Sequence, residues 1–575
     1  MSSTSKPQAA AARSWRDALD ERGEAMDQYD RPANARSDPR FSRLKRQPGS
    51  EIFTKLDNVK SRICWTVERR LQLQQMWERG DKTSDIAIAL GCKVGAVSVA
   101  RARFGLKRRR IVSGRPREPD EPAHKIERVA FITSRLMEFC TEKELVAQTG
   151  HESYQWPCVI AKELVDNGLD ICEETGIAPV IKVIIKIGKR GKLTRIIVED
   201  NGPGFPDRTV AAIIDYSVRV SSREAYISPT RGRQGNALKT ILPMAYVLSG
   251  GAKGETWIES RGLKHRLVFS VNQIKQEPIV RHIRSRSRIR IGTRITVFWP
   301  ADHAPVDPGA ITDLLTQFAW VNPHLSLKFV IDGKTKVRCE ASNPDWTKYR
   351  ACDATSAHWY RPEQIERYAG ALIARDQESR RTCKKFTVRE FIAQFRGLSA
   401  SEKQKDVLRA LNASHMSLHR FFGSQDRVNR QQMKKLLHLL QEHTRPVRPE
   451  LLGIIGSEHF KCRCLMIGGE PESFKYFSST AHNADGLPYV LEIATCAYKG
   501  WVAGKEPVPT RTLITGVNFS ATLNNPFDSL RGMEGMNEIL VDLRAGPYAP
   551  VIVCVHYACP HIEYLDRGKS RIGLE

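Results

Sequence analysis

The chain has 575 residues, 41% hydrophobic and 27% charged, which is ordinary for globular protein but too long for one hydrophobic core, so three or four domains are expected. Its formal net charge of +26 exceeds what solubility requires and favours a polyanionic partner, nucleic acid first, through phosphate contacts and counterion release. No window approaches the roughly 18 uninterrupted apolar residues of a membrane helix, and the N-terminus lacks the apolar core of a secretory signal, so a cytoplasmic, DNA-associated protein is expected.

Residues 1–60 mix Ser, Ala, Pro, Arg and Asp without a lasting apolar period and read as a disordered tail. Residues 61–110 read as three short helices. The first carries Leu71, Leu73, Met76 and Trp77; the second starts at Thr83 or Ser84 as cap and ends at the turn Gly91-Cys-Lys; the third runs from Val94 to Phe104. A small Ala87 four residues before Gly91 lets two helices cross closely, as in a helix-turn-helix. Lys93, Ser98, Arg101 and Arg103 then lie on or beside the reading helix, and Lys107, Arg108, Arg109 and Arg110 reach flanking phosphates. The segment Trp65-Thr-Val-Glu-Arg69 resembles the first helix of small regulators of the GcrA type. A Pro- and Arg-rich linker, residues 111–126, follows.

In Ala161-Lys-Glu-Leu-Val-Asp-Asn-Gly-Leu-Asp170 the apolar spacing is helical, and Glu163 and Asn167, four apart, share a face. One can position a water while the other holds a cation. After two β-rich runs comes Glu199-Asp-Asn-Gly-Pro-Gly-Phe-Pro206, a strand end that places the Asp200 carboxylate at its tip and lets backbone approach a ligand at Gly202 and Gly204. Arg231-Gly-Arg-Gln-Gly-Asn-Ala-Leu-Lys239 is a glycine-bearing turn into an apolar helix, suited to phosphate. Ile291-Gly-Thr-Arg-Ile-Thr-Val297 reads as a strand opening on Gly-Thr. The run Arg281–Arg290 alternates Arg with Ile in its later part and reads as an edge strand. The 13 cysteines, among them Cys158, Cys172, Cys496 and Cys554, sit in apolar runs and read as reduced core thiols, and Cys462-Arg-Cys464 lacks a second pair at zinc spacing.

In this order the four nucleotide segments resemble the motifs of the Bergerat-fold (GHKL) ATPases shared by gyrase, MutL, histidine kinases and heat-shock chaperones, and most closely the B subunit of type IIB topoisomerase, topoisomerase VI. Further segments extend the resemblance over about three quarters of the chain: Glu138–Leu145, Asn322-Pro-His324, Ala357–Ile365, Phe386–Phe391, Leu487–Ile493 and Thr515–Phe519. It implies an α+β protein. Its parts are a Bergerat α/β sandwich at 127–345, a helix-two-turn-helix-like region at 346–430, and a transducer-like domain of ribosomal S5 type at 431–575.

The resemblance also implies roles. Glu163 would orient the attacking water as general base, and Asn167 would ligate Mg2+ bridging the phosphates of ATP. Asp200 would read the adenine amine, with Thr293 in support. Gly232 and Gly235 would wrap the phosphates, Lys239 would join the cofactor-binding set, and Lys569 would be the transducer's switch lysine. Ala237 stands where the family has a third lid glycine, and the family's long docking helix after the switch lysine has no counterpart here.

No cleavage apparatus is legible, so a topoisomerase-like role requires a separate cleaving A-type subunit, together with double-stranded DNA and an ATP-dependent homodimer. The alternative is a stand-alone ATP-gated clamp or regulator. A pure nucleotide sensor would not need Glu163, and no phosphoacceptor helix of a histidine kinase precedes the pocket.

Overall fold

The computed structural model describes residues 65–106 and 140–573 apart from 189–191, 215, 217–224, 230, 232–236, 253, 275–276, 301–306, 379–384, 425–426, 499–509, 529–534 and 566–570. The expected tail and linker lie outside the described residues. The chain divides into two compact units, Met1–Phe131 and Ile132–Glu575.

In the first unit, α1 (Val67–Arg79), α2 (Thr83–Ala89) and α3 (Val94–Arg103) surround a small core of Leu73, Ile86, Ala87, Leu90, Val97 and Ala100. Thr66 caps α1 by accepting the Arg69 amide at 3.3 Å, and Gly80 ends it at φ 97°. Between α2 and α3 the axis turns by 97°, with Gly91 at φ 60° taking a conformation that costs a glycine little. The cap of α2 differs from expectation. Lys82 occupies that position without a side-chain bond, and the Ser84 hydroxyl, already inside the first turn, donates to Asp85 instead.

The second unit opens with α4 (Glu142–Thr149) and α5 (Trp156–Glu174). It continues through β1 (Val180–Ile187), β2 (Leu193–Asp200), α6 (Asp207–Ile213), α7 (Ala237–Leu248), β3 (Gly254–Ser260), β4 (Leu263–Asn272), β5 (Glu277–Arg286), β6 (Thr293–Phe298), α8 (Pro308–Val321), β7 (Ser326–Ile331) and β8 (Lys334–Cys339). The strands form one mixed sheet in the order β5-β4-β3-β6-β2-β1-β7-β8. Only β1 and β7 run parallel; the other pairs are antiparallel. Strict alternation in β3, buried at every second residue, marks a sheet covered on one face. The cover is α5, α7 and α8, which touch β2, β3 and β7 respectively while α5 touches both other helices. The strand β5 lies at the sheet edge, as expected, but it stops at Arg286, so the Arg-Ile alternation that carried the expectation lies beyond it, and residues 287–290 are a turn tied to Gly262 through the Ser287 amide and the Ile289 carbonyl.

A helical stretch follows: α9 (Pro362–Glu378), α10 (Val388–Ile392), α11 (Ser401–Ala410), α12 (Leu418–Phe422), a two-residue pair β9 (Gly423–Ser424) and β10 (Arg427–Val428), α13 (Arg430–Glu442) and α14 (Ser457–Met466). Helices continue past residue 430, where the resemblance placed the end of the helical region, and α13 packs on α9. Last come β11 (Lys475–His482), β12 (Pro488–Ala497), β13 (Thr512–Val517), β14 (Ser520–Ala521), α15 (Met536–Asp542) and β15 (Val551–Ala558), in a sheet ordered β11-β12-β15-β13-β14. One apolar core runs from Tyr360, Phe391 and Phe395 into Val490, Phe519 and Val555, so helices and C-terminal sheet share an interior. Helix α8 belongs to both layers: Ile311, Leu314, Leu315 and Phe318 enter the core of the large sheet, while Trp320 and Val321 enter the other.

Candidate nucleotide site

The site is built where β2, β3 and β6 end together. In the antiparallel register Asp200 on β2 faces Thr293 on β6, and Thr293 faces Ser260 on β3. Residues 202–205 then fold over this edge. The Gly202 carbonyl accepts from the Gly292 amide at 2.8 Å, the Phe205 amide donates to Ser260 Oγ at 2.8 Å, and Arg261 Nε donates to the Pro203 carbonyl at 3.1 Å. Two glycines are required by geometry. Gly204 is at φ 77° with Ser260 Oγ 2.3 Å from where a Cβ would stand, and Gly292 is at φ 78° with the Asp200 carbonyl 2.1 Å from the same position.

Within this frame Asp200 Oδ1 accepts the amides of Gly202 at 2.9 Å and Thr293 at 3.2 Å. Burial pushes its carboxyl up to about 6, against the opposing pull of those two amides and of the nearby Thr293 hydroxyl. Thr293 is buried, and its hydroxyl, although close to the carboxylate, meets no partner in full hydrogen-bond geometry. A buried polar atom in that condition is costly, and beside a half-satisfied carboxylate it suits a ligand that donates and accepts, as an adenine edge with a bridging water does.

The other wall is α5. Its Gly168 lies against the strand end, so close that a Cβ would meet Ile181 at 3.2 Å and the Asp200 Cβ at 3.3 Å. This contact fixes the helix beside Asp200, with Asn167 one residue and Glu163 just over one turn earlier. Both are half-buried. The Asn167 side chain makes no hydrogen bond among the described residues and is available as a neutral oxygen ligand, whereas Glu163 has Lys162 Nζ at 3.5 Å. Lys162 also pairs with Asp166 at 2.9 Å. Lys239 is half-buried in the first turn of α7, where its carbonyl accepts the Tyr216 hydroxyl at 2.9 Å. Gly232, Gly235 and Lys569 lie outside the described residues. The described residues on either side of Lys569 pair with each other, with the Leu565 amide on the Arg571 carbonyl at 3.0 Å and Tyr564 bridged to Ile572. Tyr564 is near enough to Lys162 to influence its charge.

Of the expected DNA contacts, Lys93, Ser98 and Arg103 are exposed in the first unit. Arg101 is engaged within it: Nη1 donates to the Leu106 carbonyl at 3.1 Å and the guanidinium lies 5.7 Å from the Trp77 ring. Lys107, Arg108, Arg109 and Arg110 lie outside the described residues. Cys158, Cys172, Cys496 and Cys554 are buried free thiols, as expected, and Cys464 is buried while Cys462 is exposed. Sequence reasoning did not reach Ser260, Gly168 or a buried ionic group around Arg231. A glycine in mid-helix and carboxylates at 166, 170 and 173 in an apolar helix were the available signals. Asp207, His265 and His282 also converge, but Asp207 Oδ1 is held by Arg284 Nε at 2.8 Å and the imidazoles are hydrogen-bonded to each other at 2.9 Å, which leaves a paired structural cluster.

No protein-family model matches the chain. It is 25% identical over 433 residues to the B subunit of type 2 DNA topoisomerase 6 of Archaeoglobus fulgidus, an alignment covering 72% of this chain and 66% of that protein. With the Pyrococcus horikoshii B subunit it shares 24% over 464 residues, 72% and 78% of the two chains. With that of Natronomonas pharaonis it shares 31% over 173 residues, 29% and 21%. The chain thus spans 66% of the Archaeoglobus protein and 21% of the Natronomonas one. Among solved structures, the 43K ATPase domain of Thermus thermophilus gyrase B aligns over 77% of this chain and 86% of that one at 12% identity and TM-score 0.30. The Aquifex aeolicus MutL ATPase domain aligns over 69% and 90% at 11% identity and TM-score 0.25. Over 72% of its length the chain is thus similar, at 24–25% identity, to proteins named as type 2 DNA topoisomerase 6 B subunits, and its architecture is mixed α+β.

Proposed function

We propose that the chain binds ATP with Mg2+, hydrolyses it, and dimerises on ATP to clamp duplex DNA, with DNA cleavage supplied by a separate subunit. The observation that carries this reading is the half-buried Asp200 carboxylate, held by two backbone amides beside a hydroxyl that lacks a well-formed hydrogen bond and backed by a glycine-tight contact with α5. That arrangement supports the reading because it suits a ligand edge that both donates and accepts hydrogen bonds, as adenine does.

Asp200 and Thr293 hold the adenine edge, Gly202 and Gly204 give backbone access, and Asn167 supplies an amide oxygen to the cation. Glu163 orients the attacking water and takes its proton. The cation, when bound, neutralises developing phosphate charge. Gly232, Gly235 and Lys239 serve the phosphates, and Lys569 is the switch lysine that reaches the terminal phosphate. Isothermal calorimetry of the purified protein with Mg2+ and a non-hydrolysable ATP analogue tests the pocket; absence of association sinks the reading.

A second reading, a stand-alone ATP-gated clamp or regulator, draws on the three-helix unit, whose exposed Lys93, Ser98 and Arg103 suit DNA placement without any partner subunit. Supercoil relaxation by a co-purified complex supports the first reading. ATP-dependent retention of DNA without relaxation supports the second.

A further inference from the structure

Behind the nucleotide wall lies an ionic group that the pocket does not use. Arg231 is fully buried. Its Nη1 donates to Asp170 at 2.9 Å and to Glu173 at 2.8 Å, its Nε donates to the Phe519 carbonyl at 2.9 Å, and its Nη2 donates to Asn322. Glu173 is further bound by Lys348 Nζ at 2.9 Å and His324 Nε2 at 2.9 Å. Asp166 receives Lys162 at 2.9 Å and the Ser520 hydroxyl at 2.7 Å. Asp166, Asp170 and Glu173 of α5 thus each face a cation, Lys162, Arg231 or Lys348, as buried ions require.

The acids lie on the helix that bears Glu163 and Asn167, whereas two partners come from the β13–β14 turn of the C-terminal sheet. That turn is strained: Asn518 and Phe519, both non-glycine, stand at φ 50° and 64°. Such backbone persists only where its surroundings hold it. Here the Phe519 carbonyl takes Arg231 and Asn322, and its ring is wedged 5.2 Å from Trp346 and 4.4 Å from His556.

We infer that Arg231 is a positioning residue that locks the nucleotide-bearing helix α5 to the strained β13–β14 turn, so that the placement of Glu163 and Asn167 and the state of the C-terminal sheet are set by one buried ionic joint. The inference rests on the ATP reading above and adds to it the route between the site and the C-terminal sheet. A planar guanidinium with donors in three directions suits this joint, and an ammonium cannot replace it. Small misplacement of a catalytic group costs turnover more than binding.

The test uses the full chain with Arg231→Lys, compared with wild type for ATP turnover, for affinity by calorimetry with a non-hydrolysable analogue, and for amide hydrogen exchange over residues 512–521 with and without that analogue. The expected result is nucleotide-dependent protection of 512–521 in wild type, and in the variant its loss, with kcat lowered at least roughly tenfold and affinity within about threefold. Ser520→Ala, which removes one hydrogen bond to Asp166, changes both readouts in the same direction by less. Arg231→Lys with wild-type turnover and wild-type protection overturns the inference, as does a loss of turnover matched by an equal loss of affinity with protection retained. If Arg231→Lys does not fold, Ser520→Ala decides: unchanged turnover and protection overturn the joint, and a reduction of both supports it. Wild type that binds no nucleotide removes the ATP reading itself, an outcome separate from any variant.

Discussion

Asp200 carries a free-energy cost in the unliganded protein that its sequence context does not announce. Its folded carboxyl is raised to about 6 from an ordinary value near 3.8, so folding favours the protonated form. The associated stability is present below the ordinary value and is lost as pH rises through about 6, an effect of about 3 kcal/mol at neutral pH. Thermal unfolding of the unliganded protein should therefore fall in Tm between pH 4 and pH 7 by more than that of Asp200→Asn does. The same substitution should weaken adenine-nucleotide affinity by roughly 10- to 100-fold, because it replaces a charged acceptor; equal affinity in calorimetry removes Asp200 from adenine recognition. For Glu163→Ala the expected pattern is the opposite, affinity retained and kcat lowered by roughly 10² to 10⁴, measured by phosphate release. A strand-end Asp-x-Gly-x-Gly and a helical Glu-x-x-x-Asn were legible as patterns in the sequence, whereas the roles proposed for Asp200 and Glu163 come from the resemblance and not from spacing. The partners of Arg231 were not, because Glu173, His324, Lys348 and Phe519 come from distant parts of the chain and only tertiary folding brings them together.

At the scale of elements, local pattern forecast type better than limits. The strand after Gly292 and the helix after Ala237 follow from alternation and helical spacing, whereas the Arg-Ile alternation read as an edge strand falls just beyond the end of β5. Limits shifted where a nearby hydrogen bond competed: Ser84 bonds Asp85 rather than capping, and residues 287–290 turn toward Gly262. Where β13 passes α8, Gly516 is the point of contact, and a Cβ there would stand 2.6 Å from Val321 Cγ1 and 3.3 Å from His556 Cδ2. Gly516→Ala should lower stability by about 1–3 kcal/mol through overpacking, read in chemical denaturation; an unchanged midpoint would show that α8 and the sheet separate freely.

For the whole molecule, the charge of +26 sets the expectation of salt-sensitive DNA binding, and the exposed Lys93 and Arg103 of the three-helix unit are the proposed place for part of it. Replacing Lys93 and Arg103 by Ala should flatten the dependence of log affinity on log salt by nearly one for each phosphate no longer neutralised, measured by fluorescence anisotropy on duplex DNA. Arg101→Ala should act instead on the stability of that unit, since its guanidinium is spent on Leu106 and Trp77. No single helix among the described residues is long and apolar enough to cross a membrane, in keeping with the hydropathy of the sequence.

The double allegiance of α8 bears on how the protein can be dissected. A fragment ending near residue 345 would strip Trp320 and Val321 of their neighbours and leave Asn322 without the Phe519 carbonyl, so its excised surface would be sticky and its termini prone to fray. Melting of residues 140–573 should accordingly occur as one cooperative event, rather than as the sum of two independent sheets.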